Sequence, residues 1–66
     1  MNVLLPCLCC ASRTIRERGA FEICPVCGWE DDPSQAADEN LAGGANVQTL
    51  AQARAAWLNR SRTQGD

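Results

Sequence analysis

Five cysteines carry whatever chemistry this 66-residue chain has, and they fall into two groups: Cys7, Cys9 and Cys10, then Cys24 and Cys27. With Cys9 set aside, the spacing is C-x2-C-x13-C-x2-C. Zinc takes four thiolates in a tetrahedron, and a C-x2-C pair wraps one turn of backbone round the ion so that both sulfurs face it. Proline after the first cysteine and glycine after the second favour that turn. Cys24-Pro25-Val26-Cys27-Gly28 has both, whereas Cys7-Leu8-Cys9-Cys10-Ala11 has the spacing without either helper. One structural zinc on Cys7, Cys10, Cys24 and Cys27 is therefore expected, with the first turn the less preorganised. An odd number of cysteines set in close pairs argues against a disulfide framework. A redox pair would normally open a helix, while an iron–sulfur centre uses the same four thiolates and stays open at this point. Cys9 is left as a spare thiol, an alternative ligand, or a small side chain turned into the core.

A zinc ion with four protein ligands has no position for water or substrate, which is the mark of a structural site. Histidine, tyrosine and lysine are absent, and the neighbouring carboxylates Glu30, Asp31 and Asp32 read more simply as solvated groups than as catalysts. A non-enzymatic domain is expected. The formal charge is -2 and all six positive residues are arginine. Four thiolates round a divalent ion make the loaded chain more negative still, a poor start for gripping a phosphate backbone. Arg13, Arg16 and Arg18 nevertheless form a local basic patch, with Arg54, Arg60 and Arg62 as a second set. The plainer reading is a solvated face with ion pairs to nearby carboxylates, each worth about 0–1 kcal/mol.

The elements that must position the cysteines are short. A chain of this length buries a small core and needs help to stay folded. Val3-Leu4-Leu5 makes an extended lead, and Pro6 argues against a central strand there. Between the cysteine groups a small hairpin is expected, with Thr14-Ile15 on one arm, Arg18-Gly19 near the turn and Phe21-Glu22-Ile23 on the other. Residues 30–40 hold five acidic groups and no basic one, and read as a surface loop with at most a helical turn at Ala36-Ala37. Gly43-Gly44 marks a sharp loop. The last element is a helix over about 49–60: Thr49 and Gln52 have capping-box spacing, and Leu50, Ala53 and Trp57 fall on one stripe that Leu58 widens. Its partner in the core is the hairpin, through Ile15, Phe21, Ile23 and possible help from Trp29, and residues 61–66 form a frayed tail. The fold class that follows is a small zinc-stabilised α+β domain over residues 1–60: a zinc-ribbon-like double knuckle with a short β-hairpin and one C-terminal helix. Met1–Pro6 lacks the positive start and long apolar run of a signal peptide, and no run is long enough to span a membrane, so a cytoplasmic protein is expected.

Cys7-Leu8-Cys9-Cys10, the block Cys24-Pro25-Val26-Cys27-Gly28-Trp29-Glu30-Asp31-Asp32, the glycine step and Asn46-Val47-Gln48-Thr49-Leu50 together resemble the small bacterial cysteine-rich CPCC domain. The resemblance runs from Pro6 to about Trp57. Against the family pattern, Leu8 stands for a proline, Ala11 for a glycine, Ala45 for a proline and Thr49 for a serine. These exchanges loosen local turns and remove no ligand. The resemblance implies an architecture and no activity, with immunity-type or accessory roles as an association only.

The expected function is a protein-binding module, inhibitory or toxin-neutralising in character, whose acidic block Glu30, Asp31 and Asp32 faces a basic protein partner. Trp29 is either part of the core or an exposed anchor beside that block. The alternative is a nucleic-acid-binding zinc ribbon that uses Arg13, Arg16 and Arg18.

Overall fold

With few apolar side chains to bury, this chain organises itself round its turns. The computed structural model describes residues 3–64. A two-stranded antiparallel ribbon pairs β1 (Leu5–Pro6) with β2 (Arg13–Ile15), in the register Leu5 with Ile15 and Pro6 with Arg13. Proline is tolerated in such a ribbon because neither strand is central. Ile23 and Glu30 form an isolated antiparallel bridge further on. Two helices follow, α1 (Pro33–Ala37) and α2 (Leu50–Gln64).

The hairpin is thus present but its arms differ from those expected. Each ribbon encloses one cysteine pair, and neither bridges the two pairs. The reason lies in Phe21 and Glu22. Phe21 adopts φ 60°, which breaks a strand at that point. Glu22 then turns its carboxylate to the backbone N–H groups of Arg16 at 3.0 Å and Glu17 at 2.8 Å, taking the donors that strand pairing would have used.

The acidic run is likewise not a solvated loop throughout. Asp32 is the N-cap of α1: its Oδ1 accepts from Ser34 N at 2.7 Å and Gln35 N at 3.4 Å, and Pro33 takes the first helical position, where no N–H is needed. Its Oδ2 accepts from Ala45 N at 2.8 Å. Asp31, only 1% exposed, receives Arg18 Nη1 at 2.7 Å and Gly19 N at 2.6 Å. Arg18 also donates to the Pro6 carbonyl, so one side chain joins β1 to the acidic block.

Gln35 is fully buried and holds the irregular loop over it. Its amide nitrogen donates to the carbonyls of Leu41, Asn46 and Gln48, and its oxygen accepts from Asn46. Asn46 completes the chain by pairing with both backbone groups of Glu30 at 2.8 Å. The loop passes so near α1 that a Cβ on Gly44 would lie 2.6 Å from Asp32 Oδ2, which only glycine avoids.

In α2, the reciprocal bonds Gln52 N to Thr49 Oγ1 (3.0 Å) and Thr49 N to Gln52 Oε1 (2.9 Å) close the expected capping box. The helix runs on to Gln64, beyond the expected end near residue 60, because no glycine or proline occurs before Gly65. Of the expected frayed tail, residues 65–66 lie outside the described chain. Arg54 ties the helix back to the first cysteine group, its Nε donating to the Leu8 carbonyl at 2.8 Å.

The buried apolar residues are Cys7, Ile15, Cys24, Trp29, Leu50 and Ala53. Trp29 is therefore the core tryptophan, and Trp57 is only half-buried. Phe21 and Ile23 do not join this core, being 51% and 64% exposed. No helix among the described residues is long and apolar enough to cross a membrane.

Arg18→Ala should lower stability by about 2–3 kcal/mol, since it strands a buried carboxylate. Arg16→Ala, an exposed change, should stay within about 0.5 kcal/mol. Denaturant unfolding of the two variants compares them directly; equal midpoints would show that Asp31 does not depend on Arg18.

Candidate metal centre

Both cysteine pairs are built by the same turn. Cys7 N donates to the Ser12 carbonyl at 2.8 Å and Ala11 N to the Cys7 carbonyl at 2.8 Å; in the second group Cys24 N meets the Trp29 carbonyl at 2.9 Å and Gly28 N the Cys24 carbonyl at 2.8 Å. The turn ends with a left-handed residue in each case, Ala11 at φ 69° and Gly28 at φ 86°. Glycine adopts this conformation freely, whereas Ala11 must carry its Cβ into it. The missing glycine has not altered the turn.

The two turns face each other. Cys7 Sγ lies 3.5 Å from Cys27 Sγ and Cys10 Sγ 3.7 Å from Cys24 Sγ, and all four sulfurs lie within 4.8 Å of one another. A tetrahedron of thiolates at 2.3 Å from a zinc-sized ion has edges of about 3.8 Å, so the set is matched to one ion in a closed, structural site. The structure brings together all four cysteines singled out by their spacing. Cys9 stands outside the set, and the reading of it as an alternative ligand gains no support.

The electrostatics differ from sulfur to sulfur. Burial pushes the Cys7 and Cys27 thiols up to about 12. Burial also opposes ionisation of Cys24, but the Thr14 hydroxyl and the backbone N–H groups of Cys27 and Val26 outweigh it and bring that thiol down to about 6. Thr14 Oγ1 stands 3.1 Å from Cys24 Sγ, and Trp29 N donates to Cys27 Sγ at 3.4 Å. Such donors disperse thiolate charge and orient the ligands. Thr14 was not singled out by the sequence, where nothing marks a threonine in the flanking strand as a neighbour of Cys24.

The residues expected to meet a partner are placed otherwise. Trp29, Asp31 and Asp32 are buried and Glu30 is half-buried, so the block is not an exposed acidic face. The cause is internal demand: Asp31 serves Arg18 and Gly19, while N–H groups of Ala45, Ser34 and Gln35 hold the Asp32 carboxyl below its usual range. Among the arginines of the basic patch, Arg13 donates to the Leu4 carbonyl and Arg18 is committed to Asp31, while Arg16 is exposed. In the second set, Arg54 also pairs with Glu39 at 3.3 Å and Arg60 lies 5.5 Å over the Trp57 ring; the Arg62 side chain falls outside the described residues.

A family model described as cysteine-rich CPCC matches residues 5–61, nearly the whole of the described chain and all five cysteines. The chain belongs to the cysteine-rich CPCC family. No curated protein matches it. Within this CPCC domain the matched span contains both knuckles, the acidic block, Asn46 and most of α2.

Two predictions concern the centre. Ala11→Gly should stabilise the domain by about 1 kcal/mol by relieving the left-handed alanine; unchanged or lower stability on thermal melting would show that the turn bears no strain. Thiolate ligands must lose their protons to bind. With Cys7 and Cys27 raised to about 12, loading near neutral pH displaces at least those two protons. Apparent affinity should therefore fall by at least about 100-fold for each unit of acidification, and more steeply below about 6, where Cys24 also protonates. Competition with a chromophoric chelator across neutral to mildly acidic pH measures the slope, and about tenfold or less per unit would contradict these assignments.

Proposed function

We propose that this CPCC domain is a non-enzymatic, zinc-stabilised protein-binding module of the cytoplasm, with an inhibitory or toxin-neutralising role. Reduced compartments keep thiols available to a metal, and four protein thiolates leave a zinc ion no open position for catalysis. The observation that carries the binding role is Phe21. A bulky residue at φ 60° is strained by something on the order of 1–3 kcal/mol, and this one is held so that its ring stays half in solvent. Backbone pairing fixes it there, through Phe21 N to the Asp31 carbonyl at 3.2 Å and Asp31 N to the Glu22 carbonyl at 2.9 Å. Ile23 and Val26, also exposed, lie on the same segment leading into and round the second knuckle. Aromatic and aliphatic side chains offered by a rigid backbone are the usual anchors of an interface. The net charge of -2 favours a basic rim on the partner.

Affinity purification of the tagged domain from its own host, without added metal, tests the reading. Wild type should carry one zinc and retain a basic protein. Phe21→Ser with Ile23→Ser should keep the zinc and the helical circular dichroism but lose the protein. Retention by both forms, or a bound nucleic acid whose affinity falls steeply with salt, would overturn it.

A further inference from the structure

The second knuckle closes a ribbon of two very short arms, and the two edges of that ribbon are not alike. Ile23 and Glu30 face each other in an antiparallel bridge, flanked by Cys24 N to the Trp29 carbonyl at 2.9 Å and Asp31 N to the Glu22 carbonyl at 2.9 Å. Because the bonds lie on either side of the pair, Ile23 and Glu30 turn their own N–H and C=O groups away from the ribbon, one residue to each edge. At the Glu30 edge the Asn46 carboxamide takes both groups: its Oδ1 accepts from Glu30 N and its Nδ2 donates to the Glu30 carbonyl, each at 2.8 Å. A single side chain there does what a third strand would do. At the Ile23 edge neither group has a hydrogen-bond partner among the described residues, and Ile23 is 64% exposed. Unpaired edge groups of this kind are a template on which another chain can pair.

We propose that the Ile23 edge binds its partner by strand addition, and that the partner contributes an extended segment with basic side chains. This rests on the protein-binding reading of the same segment and names what the partner must present. The backbone specifies the shape: an outward N–H and C=O on one residue are matched by the C=O and N–H of one residue in an extended chain. The edge is short, because Pro25 has no N–H and the Phe21 N–H is turned inward to the Asp31 carbonyl. It therefore suits a linear segment, which the exposed Phe21 and Val26 beside Ile23 would hold by apolar contact. Charge specifies the sign. Glu30 lies directly across the bridge from Ile23, so both side chains share one face of the ribbon, and its carboxylate has no ion pair among the described residues. Arg16 and Glu17, both bonded through their N–H groups to the Glu22 carboxylate, offset each other in charge and leave Glu22 and Glu30 as a net negative pair. A second copy of this chain would bring the same carboxylates and a net charge of -2 against them, whereas arginine or lysine on a guest strand would complement them.

Isotope-labelled, zinc-loaded domain is titrated with three capped peptides while its backbone amides are followed by nuclear magnetic resonance. The peptides are Arg-Val-Arg-Val-Arg, the same sequence N-methylated throughout, and Glu-Val-Glu-Val-Glu. The basic peptide should bind, shift the amides of residues 22–24 most, and at saturation slow hydrogen exchange at Ile23 by about tenfold or more. Its N-methylated form, equal in charge and side chains but without donors, should bind several-fold more weakly, and the acidic peptide should not bind. Ile23→Pro removes the outward N–H and no internal hydrogen bond, and should weaken the basic peptide several-fold, while Ile23→Val should retain it. Equal binding of the plain and N-methylated peptides would overturn strand addition and leave the protein-binding reading standing. Absence of binding at millimolar basic peptide, equal binding of the acidic one, or shifts centred away from residues 22–24 would also overturn it. So would a dimer of the domain alone, seen by sedimentation and broken by Ile23→Pro, which would assign the edge to a second copy. Should Ile23→Pro fail to load zinc, the peptide comparison on wild type decides. The protein-binding reading fails separately, when the tagged wild type retains no protein.

Discussion

Four cysteine sulfurs within 4.8 Å of one another are the constraint on which the rest of this domain depends. Ionised, they repel; protonated, they form a cluster of weak donors and acceptors that two short turns must hold together unaided. A divalent ion removes the conflict, because each thiolate then binds the centre instead of opposing its neighbours. Cys7 and Cys24 are also members of the apolar core, beside Ile15, Trp29 and Leu50. Site and core are therefore one object. A core this small is marginal without such a staple, and binding free energy at the ion becomes folding free energy.

A second constraint follows from how little regular structure surrounds that centre. Where strands are two or three residues long, many backbone N–H groups have no ladder partner and must be met by side chains. The carboxylates do this here. Glu22 serves Arg16 and Glu17, Asp31 serves Gly19, Asp32 serves Ser34, Gln35 and Ala45, and Asp38 serves Asn40. Gln35 and Asn46 perform the complementary service for carbonyl groups of the loop. Part of the acidic character of the sequence is thus internal scaffolding, and Asp31 and Asp32 are hidden from solvent by it.

That division also explains what could be read from sequence. The ligand set was legible because thiolate spacing is a local property: each turn spans four residues, and only the approach of the two turns is long-range. The α2 cap was legible for the same reason, Thr49 and Gln52 being three residues apart. The acidic block was misjudged because its partners are remote, Arg18 thirteen positions before Asp31 and Ala45 thirteen after Asp32. One local clue was nonetheless available, since Asp32 before Pro33 is a helix-start signature. The hairpin arms were misjudged because alternation in Phe21-Glu22-Ile23 suggests a strand, while the left-handed Phe21 and the inward carboxylate of Glu22 do not follow from that pattern. Trp29 and Trp57 could not be ranked by helical periodicity, which says nothing of how closely Trp29 sits to the knuckle it follows.

The two left-handed non-glycine residues serve different parts of the scaffold. Ala11 has a structural cause: the same hydrogen bonds that close the second knuckle at Gly28 close the first at Ala11, and the metal geometry requires the turn whichever residue stands there. Phe21 lies three residues before Cys24 and outside both knuckles, and its conformation goes with the pairing of its N–H to the Asp31 carbonyl and the inward Glu22 carboxylate. An extended residue there would continue into Ile23, which already bridges to Glu30. The left-handed Phe21 instead leaves its ring at the surface while Trp29, a few residues on, is drawn into the core. The exchange leaves a second aromatic outside a small core, while the turn aims the Glu22 carboxylate at the Arg16 and Glu17 N–H groups. An exposed aromatic side chain held by a strained backbone is the observation on which the binding proposal rests.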